Sequence, residues 1–156
     1  MNSYRIKEII CVVVLLVFII VLVGQNRQSN ADAKDVFKSV VAAVDTDGLK
    51  VCKAEKFKEQ FGFEKSDFEG VYYMASDSIM DVREILVVRC GDNAPADALL
   101  DKVQSRADDK YGLFKQYDPT ASALLKKYVA EKKGGFVFFA VCDDVAAAKR
   151  AFHKAL

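Results

Sequence analysis

The residue types best suited to metal binding or nucleophilic catalysis are the four cysteines and the single histidine, His153. A zinc site needs about four nitrogen, sulfur or oxygen ligands, and no two cysteines form the C-x-x-C pair that could begin one. The sequence therefore predicts no metal site and no cofactor. Catalysis of the Ser-His-Asp or Cys-His type would have to use His153, and no serine stands in a G-x-S-x-G pattern. We predict no catalytic residue and interpret His153 as a partly exposed surface histidine.

The cysteines leave two interpretations open. Cys11 lies inside an apolar run, so that Cys52, Cys90 and Cys142 remain for the rest of the chain. If Cys90 and Cys142 end neighbouring strands, they could form a disulfide, and either could instead pair with Cys52. The alternative is that all three are small buried hydrophobic residues.

Glu84 is the polar residue with the most informative position. It alternates with apolar residues along a predicted strand at 82–90, on the face that also holds Leu86. A buried carboxylate must be paired, or its pKa rises. Because Arg106 lies at the edge of the apolar stripe of the next helix, we predict a Glu84–Arg106 ion pair that joins strand to helix. Two alternatives stay open: Arg106 recognises a ligand, or Glu84 is solvated near an edge of the sheet.

Other polar motifs fit structural roles. Gly134-Gly135 lacks the G-x-x-x-x-G-K spacing of a phosphate loop and precedes a strand, so it predicts a hairpin turn. The acidic pairs at 108–109 and 143–144 fit helix capping and solvation better than cation binding.

The composition limits the function classes. The chain has 156 residues, enough for one domain or for one domain with an appendage. Its 52% apolar and 29% charged residues exclude a disordered or fibrous chain. Lys and Arg number 23 against 22 Asp and Glu, and a net charge of +1 gives no bulk electrostatic reason to bind nucleic acid.

The N-terminus contains an unbroken run of 15 apolar residues at 9–23, closed by Gly24. At about 1.5 Å per residue this run spans about 22 Å, against about 30 Å for a bilayer core. The span becomes 19 residues if Lys7 and Glu8 reach back to the headgroups. We predict an uncleaved signal anchor. The alternatives are a signal peptide cleaved near Ala31-Asp32-Ala33 and a buried helix of a soluble fold.

The charges before the run set the expected orientation. Arg5 and Lys7 favour a cytoplasmic N-terminus and an outward-facing C-terminus. We therefore predict a cytoplasmic tail at 1–8, a transmembrane anchor in the lipid bilayer at 9–24, a linker at 25–33 and an extracytoplasmic domain at 34–156. The protein would be a single-pass protein of the cell membrane. The run contains no G-x-x-x-G motif for pairing of helices in the membrane.

The periodicity beyond the run predicts helices and strands in mixed order. Helices are expected at 35–45, 53–61 and 95–114, with a short turn of helix near 124 and a last helix from 145; strands are expected at 71–75, 82–90, 128–132 and 136–142. The strand at 136–142 is apolar on both faces and should be central and covered on both sides. Short connections favour an α+β fold with an antiparallel sheet of about four strands.

The second half of the chain carries a recognisable series of residues. They are Met80, Val82-Arg83-Glu84-Ile85, Cys90, Ala98, Arg106, Tyr117-x-Pro119, Gly135-Phe136-Val137 and Phe152. The series resembles domain of unknown function 4358, a family of small extracytoplasmic proteins of Gram-positive bacteria held by a lipoprotein signal or a membrane helix. The resemblance covers about 33–156 and implies a location and a fold but no activity. The chain departs from the family pattern in lacking a lipid-modified cysteine and in having Asp109-Lys110 where members often have glutamine.

These observations predict a membrane-anchored extracytoplasmic module that binds a protein or another envelope component without catalysis. The alternative is a hydrolase-like enzyme that uses scattered carboxylates such as Glu84 and Asp118. A deep polar pocket with two or more convergent carboxylates would favour the enzyme, and a shallow apolar groove or an exposed sheet edge would favour the binding module.

Overall fold

The computed structural model describes residues 3–25 and 28–156. In this part of the chain the strands are β1 (Leu49–Val51), β2 (Gly70–Ser76), β3 (Glu84–Arg89), β4 (Val129–Lys133) and β5 (Phe136–Val141). The helices are α1 (Ser3–Gln25), α2 (Ala33–Val41), α3 (Ala54–Phe61), α4 (Ala96–Phe114), α5 (Pro119–Leu125) and α6 (Val145–Ala155).

The strands form one antiparallel sheet in the order β1-β2-β3-β5-β4. The α+β prediction is confirmed, but the expected strand count of about four is corrected to five in the described residues. The additional strand is β1, whose three residues pair with β2 through Leu49–Ser76 and Val51–Met74. Three residues are too few to show an alternating pattern, which explains why the sequence did not predict this edge strand.

Helices cover both faces of the sheet. On one face α2 and α6 pack on the side chains of Ile85, Val87, Phe136 and Phe138. On the other face α3, α4 and α5 pack on a cluster whose sheet residues are Val71, Tyr73, Ala75, Leu86, Val88, Val137, Phe139 and Val141. The alternation of β3 therefore divides its side chains between two hydrophobic cores.

Strand β5 is buried at all six positions, because it lies between β3 and β4 and is covered by helices on both faces. The prediction that it is covered on both sides is confirmed, although β3 occupies the middle of the sheet. The predicted strand at 82–90 is shorter in the structure, since the ladder with β5 ends at the Glu84–Val141 pair. Before it, the Asp81 carboxylate accepts a hydrogen bond from the Arg83 N–H.

Local capping and turn residues mark where several helices and strands begin or end. The side chains of Asp32 and Asp144 accept hydrogen bonds at the N-termini of α2 and α6. Gly62 ends α3 with a φ of 80°, and Gly134 and Gly135 have φ of 62° and 82° in the hairpin between β4 and β5.

Helix α1 contains the apolar run. Its large apolar side chains between Ile9 and Ile20 are each 45–68% exposed. Within the described residues, no helix combines the length and the hydropathy expected of a membrane span. The transmembrane part of the fold prediction is therefore not confirmed. The predicted tail at 1–8 and linker at 25–33 both include residues that lie outside the described ones.

The two ends of the sheet differ in what they contact. At one end, which we call the linker end, the N–H of Ser29 donates to the carbonyl of Gly134 (2.8 Å) and its hydroxyl donates to the carbonyl of Leu156 (2.7 Å). At the opposite end, which we call the far end, lie the β2–β3 loop, the α4–α5 connection and the β5–α6 loop. The chain thus enters the domain at the linker end.

Candidate functional site

Glu84 is the first residue of β3, and none of its surface is exposed. The alternation of β3 directs its side chain to the face covered by α4, since Leu86 and Val88 lie in the same cluster. The carboxylate therefore lies in the hydrophobic interface between sheet and helix, and it needs partners there.

The structure brings the two predicted site residues together. Arg106 Nε lies 3.1 Å from Oε1 and 3.2 Å from Oε2 of Glu84. Lys110 Nζ donates to Oε1 at 2.9 Å, and the Tyr73 hydroxyl donates to Oε2 at 2.7 Å. Three donors from two elements thus surround one carboxylate, and we call these four residues the Glu84 cluster.

The sequence did not predict Lys110 and Tyr73 as members of the cluster. A signal for Lys110 was present, because a residue four positions after Arg106 lies on the same face of a helix. Tyr73 could not be placed without the register of β2 and β3, which pairs Tyr73 with Leu86 and so sets it diagonal to Glu84.

Burial changes the proton affinities within the cluster. It lowers the pKa of Lys110, an effect that the nearby charge of Glu84 opposes. It raises the pKa of Tyr73 well above its usual range, and the negative charge of Glu84 adds to that shift. Tyr73 therefore stays a protonated hydrogen-bond donor, and the buried carboxylate has no route to act as a general base on a dissolved substrate.

A shallow cleft of about 400 Å³ lies at the far end. Two of the three carboxylates of its lining are engaged: Asp81 is bound by Arg83 (2.7 Å from Nη2 to Oδ2), and Asp118 accepts the N–H of Ala121 at the start of α5. The Arg83 hydrogen bonds hold the pKa of Asp81 below its ordinary value. The other residues of the lining are Ser78, Met80, Val82, Thr120, Leu124 and Asp143.

Apolar side chains project beside this cleft. Ile79 is 90% exposed and Met80 is 52% exposed, both in the loop between β2 and β3. Leu113 and Tyr117, at the end of α4 and just after it, are exposed at the same end of the sheet. A large apolar side chain with 90% exposure makes almost no contact within its own domain, so the fold does not account for Ile79.

A larger cleft, of about 1100 Å³, lies at the linker end and includes His153. The ring is only partly exposed, with Nε2 at 2.5 Å from Glu131 Oε1 and Nδ1 at 3.3 Å from Lys133 Nζ. Ser29, which also lines this cleft, donates its hydroxyl to the carbonyl of Leu156. Since both ring nitrogens and the serine hydroxyl have other partners, this cleft lacks a serine–histidine pair arranged for catalysis.

All four cysteines are free thiols. Cys90 and Cys142 follow the neighbouring strands β3 and β5, as expected, but these strands are antiparallel and their C-terminal ends lie at opposite ends of the sheet, so the two thiols are too far apart to form a disulfide. Their side chains also belong to different cores. Burial raises the pKa of Cys90 and of Cys142 to about 11. Among the described residues, no group of three or more His, Cys, Asp or Glu side chains is placed to hold a metal ion.

Comparison with protein families gave one finding. A family model described as "Domain of unknown function (DUF4358)" matches residues 42–142. The matched segment contains the whole Glu84 cluster and the β2–β3 loop, and it begins just after α2. Comparisons with curated proteins and with solved structures gave no match.

Proposed function

The chain belongs to the family of domain of unknown function 4358, and we propose that it is a membrane-anchored extracytoplasmic module that binds a protein partner at the far end of its sheet. The observation that carries the proposal is the exposure of Ile79 and Met80 on the β2–β3 loop. Exposed apolar side chains beside a shallow cleft are typical of surfaces that bind other proteins.

The charge around this loop defines the partner. Asp77, Asp81, Asp143 and Asp144 lie in the loops of the far end, where Lys50 already binds Asp77 and Arg83 already binds Asp81. A partner segment with an apolar side chain flanked by lysine or arginine would bury Ile79 and Met80 and place its charge beside the exposed carboxylates of Asp143 and Asp144. We therefore propose a basic, partly apolar protein segment as the occupant.

Helix α1 is the proposed anchor. Within the described part of the chain, its exposed apolar side chains have no packing partner that would remove them from water, and a bilayer would supply one. Because the chain enters the domain at the linker end, an anchored domain would present its far end away from the lipid. This arrangement would leave the β2–β3 loop accessible to a partner in the envelope.

The enzyme alternative is less well supported. Its two named carboxylates have structural partners, since Glu84 is buried among three donors and Asp118 caps α5. The far-end cleft is also shallow and partly apolar, which is the geometry expected of a binding module.

Site-specific photo-crosslinking in native membranes tests the binding surface. A photo-crosslinking amino acid replaces Ile79, and the matched control places it at Lys38, an exposed position on α2. We expect a discrete protein adduct from position 79 alone, and mass spectrometry should map it to a segment that contains lysine or arginine beside apolar residues. Equal adducts from both positions, an acidic captured segment, or no protein adduct would overturn the proposal.

Protease treatment of intact spheroplasts tests the anchoring separately. An outward-facing domain should be digested without lysis, and it should sediment with membranes after a high-salt wash. Protection of the domain until lysis, or its release by salt, would overturn the proposed topology.

A further inference from the structure

We propose that Arg106 and Lys110 form a binding site for an oxyanion, that is, for a carboxylate or phosphate group of a ligand. This site is separate from the far-end surface proposed above, and it lies on α4 over the start of β3. Three features of the Glu84 cluster support the site: the donors that it leaves free, its net charge and its rigidity.

The cations of the cluster have unused donors. Arg106 donates to Glu84 through Nε, and within the described part of the chain neither Nη1 nor Nη2 has an acceptor. No buried side-chain nitrogen or oxygen among the described residues lacks a partner, so these two nitrogens reach solvent. The ammonium group of Lys110 carries three N–H donors, and within the described residues it makes one hydrogen bond, to Glu84.

The charges of the cluster are unbalanced. One carboxylate, Glu84, faces two cations, while the nearby Asp81 is bound by Arg83. A single cation would be enough to pair with Glu84, so the second leaves an excess positive charge in a partly dehydrated position. The side chains of Arg106 and Lys110 are 18% and 22% exposed, which leaves them recessed and still open to a small anion. An oxyanion there would meet less dielectric screening than one at the surface.

The position of the guanidinium is fixed before any ligand arrives. Its carbon lies 5.5 Å from the centre of the Phe61 ring, and its Nε is held by the buried Glu84. A guanidinium oriented in this way presents its terminal nitrogens as a planar pair, which matches two oxygens of a carboxylate or phosphate. Glu84 is thus a positioning residue for Arg106.

Nuclear magnetic resonance of the full chain, labelled with nitrogen-15 in nonionic detergent, tests the site. The Nε–Hε signal of Arg106 is followed while sodium phosphate or sodium acetate is added, with sodium chloride at matched ionic strength as the reference. We expect a saturable shift of this signal with at least one of the two oxyanions and no saturable shift with chloride. A response to phosphate alone would assign a phosphoryl group as the ligand chemistry, and a response to acetate alone would assign a carboxylate.

Arginine-to-lysine variants at two positions test whether anion binding depends on this site or on surface charge in general. Arg106→Lys keeps the charge but loses the planar pair of nitrogens, so we expect an affinity about tenfold lower, read from the backbone amides of residues 106 and 110. Arg150→Lys changes an exposed arginine on α6, on the opposite face of the sheet, and should leave the affinity unchanged. Absence of a saturable response in the unmodified chain, or equal weakening in both variants, would overturn the proposal. Neither result bears on crosslinking from position 79.

Discussion

Glu84 accepts hydrogen bonds from Arg106 across the interface of β3 and α4, with 3.1 Å between Oε1 and Nε, while the carboxylate is fully buried. Removing both charges from water is costly, so such a pair is weak evidence for a gain in stability. Removing only one of the two charged side chains is strongly destabilising, because the remaining charge is then buried without its partner.

Glu84→Ala should lower the free energy of unfolding by about 3–5 kcal/mol, since it leaves the partly buried charges of Arg106 and Lys110 unpaired. Urea denaturation of the full chain in detergent, followed by circular dichroism, measures the change. The matched control is Glu69→Ala, which removes an exposed partner of Arg89. Arg89 lies on β3, as Glu84 does, and this variant should cost less than about 1 kcal/mol. Equal costs for the two variants would contradict the structural role of Glu84.

The buried thiols predict a loss of stability at alkaline pH. The pKa of Cys90 and of Cys142 is raised to about 11 in the fold from an ordinary value of 9.0, so the unfolded chain releases these protons first as the pH rises. The free energy of unfolding should therefore fall between about pH 9 and pH 11, by about 2 kcal/mol per thiol at about pH 10.5.

Urea denaturation at about pH 8 and about pH 10.5 checks this dependence, and a Cys90→Ala, Cys142→Ala double variant provides the reference. Tyr73 and Lys110 also titrate differently in the fold, and both are present in the two proteins, so the difference between them isolates the thiols. The double variant should lose less stability with rising pH. Parallel pH profiles would show that the two thiols ionise as readily in the folded chain as in the unfolded one.

The placement of the cysteines predicts their order of reactivity. Cys52 is partly exposed and should be alkylated by N-ethylmaleimide before Cys90 and Cys142, which are buried in separate cores. Peptide mapping after short exposure of the native chain measures this order. A peptide that joins Cys90 to Cys142 without reduction would be incompatible with their positions at opposite ends of the sheet.

Two adjacent aspartates before α6 should differ in their effect on stability. Asp144 accepts the N–H of Ala147 at 2.8 Å, whereas Asp143 is exposed and lies 4.0 Å from Arg83. Asp144→Ala should cost about 1 kcal/mol through loss of the helix cap, and Asp143→Ala should cost less than about 0.5 kcal/mol. Thermal unfolding of the two variants compares them, and a larger effect at position 143 would refute the assignment of the cap.

Much of the fold followed from the sequence because helices and strands leave local signals. The stripe of α4, the alternation around Glu84 and the all-apolar strand β5 reflect side chains that face a core at regular spacing. The capping of α6 by the acidic pair at 143–144 and the glycine turn at 134–135 involve neighbours within a few residues. Membership in the family was recognisable for the same reason, since its pattern consists of packing and turn residues in a fixed order.

The sequence by itself determined the α+β class, the glycine turn at 134–135 and the candidate pair of Glu84 and Arg106. Only the tertiary structure decided that β1 is the fifth strand, that Tyr73 and Lys110 complete the Glu84 cluster, and that Cys90 and Cys142 lie far apart. These features depend on strand order, strand direction and register. Contacts between residues distant in sequence set all three, and periodicity within a single segment carries no information about them.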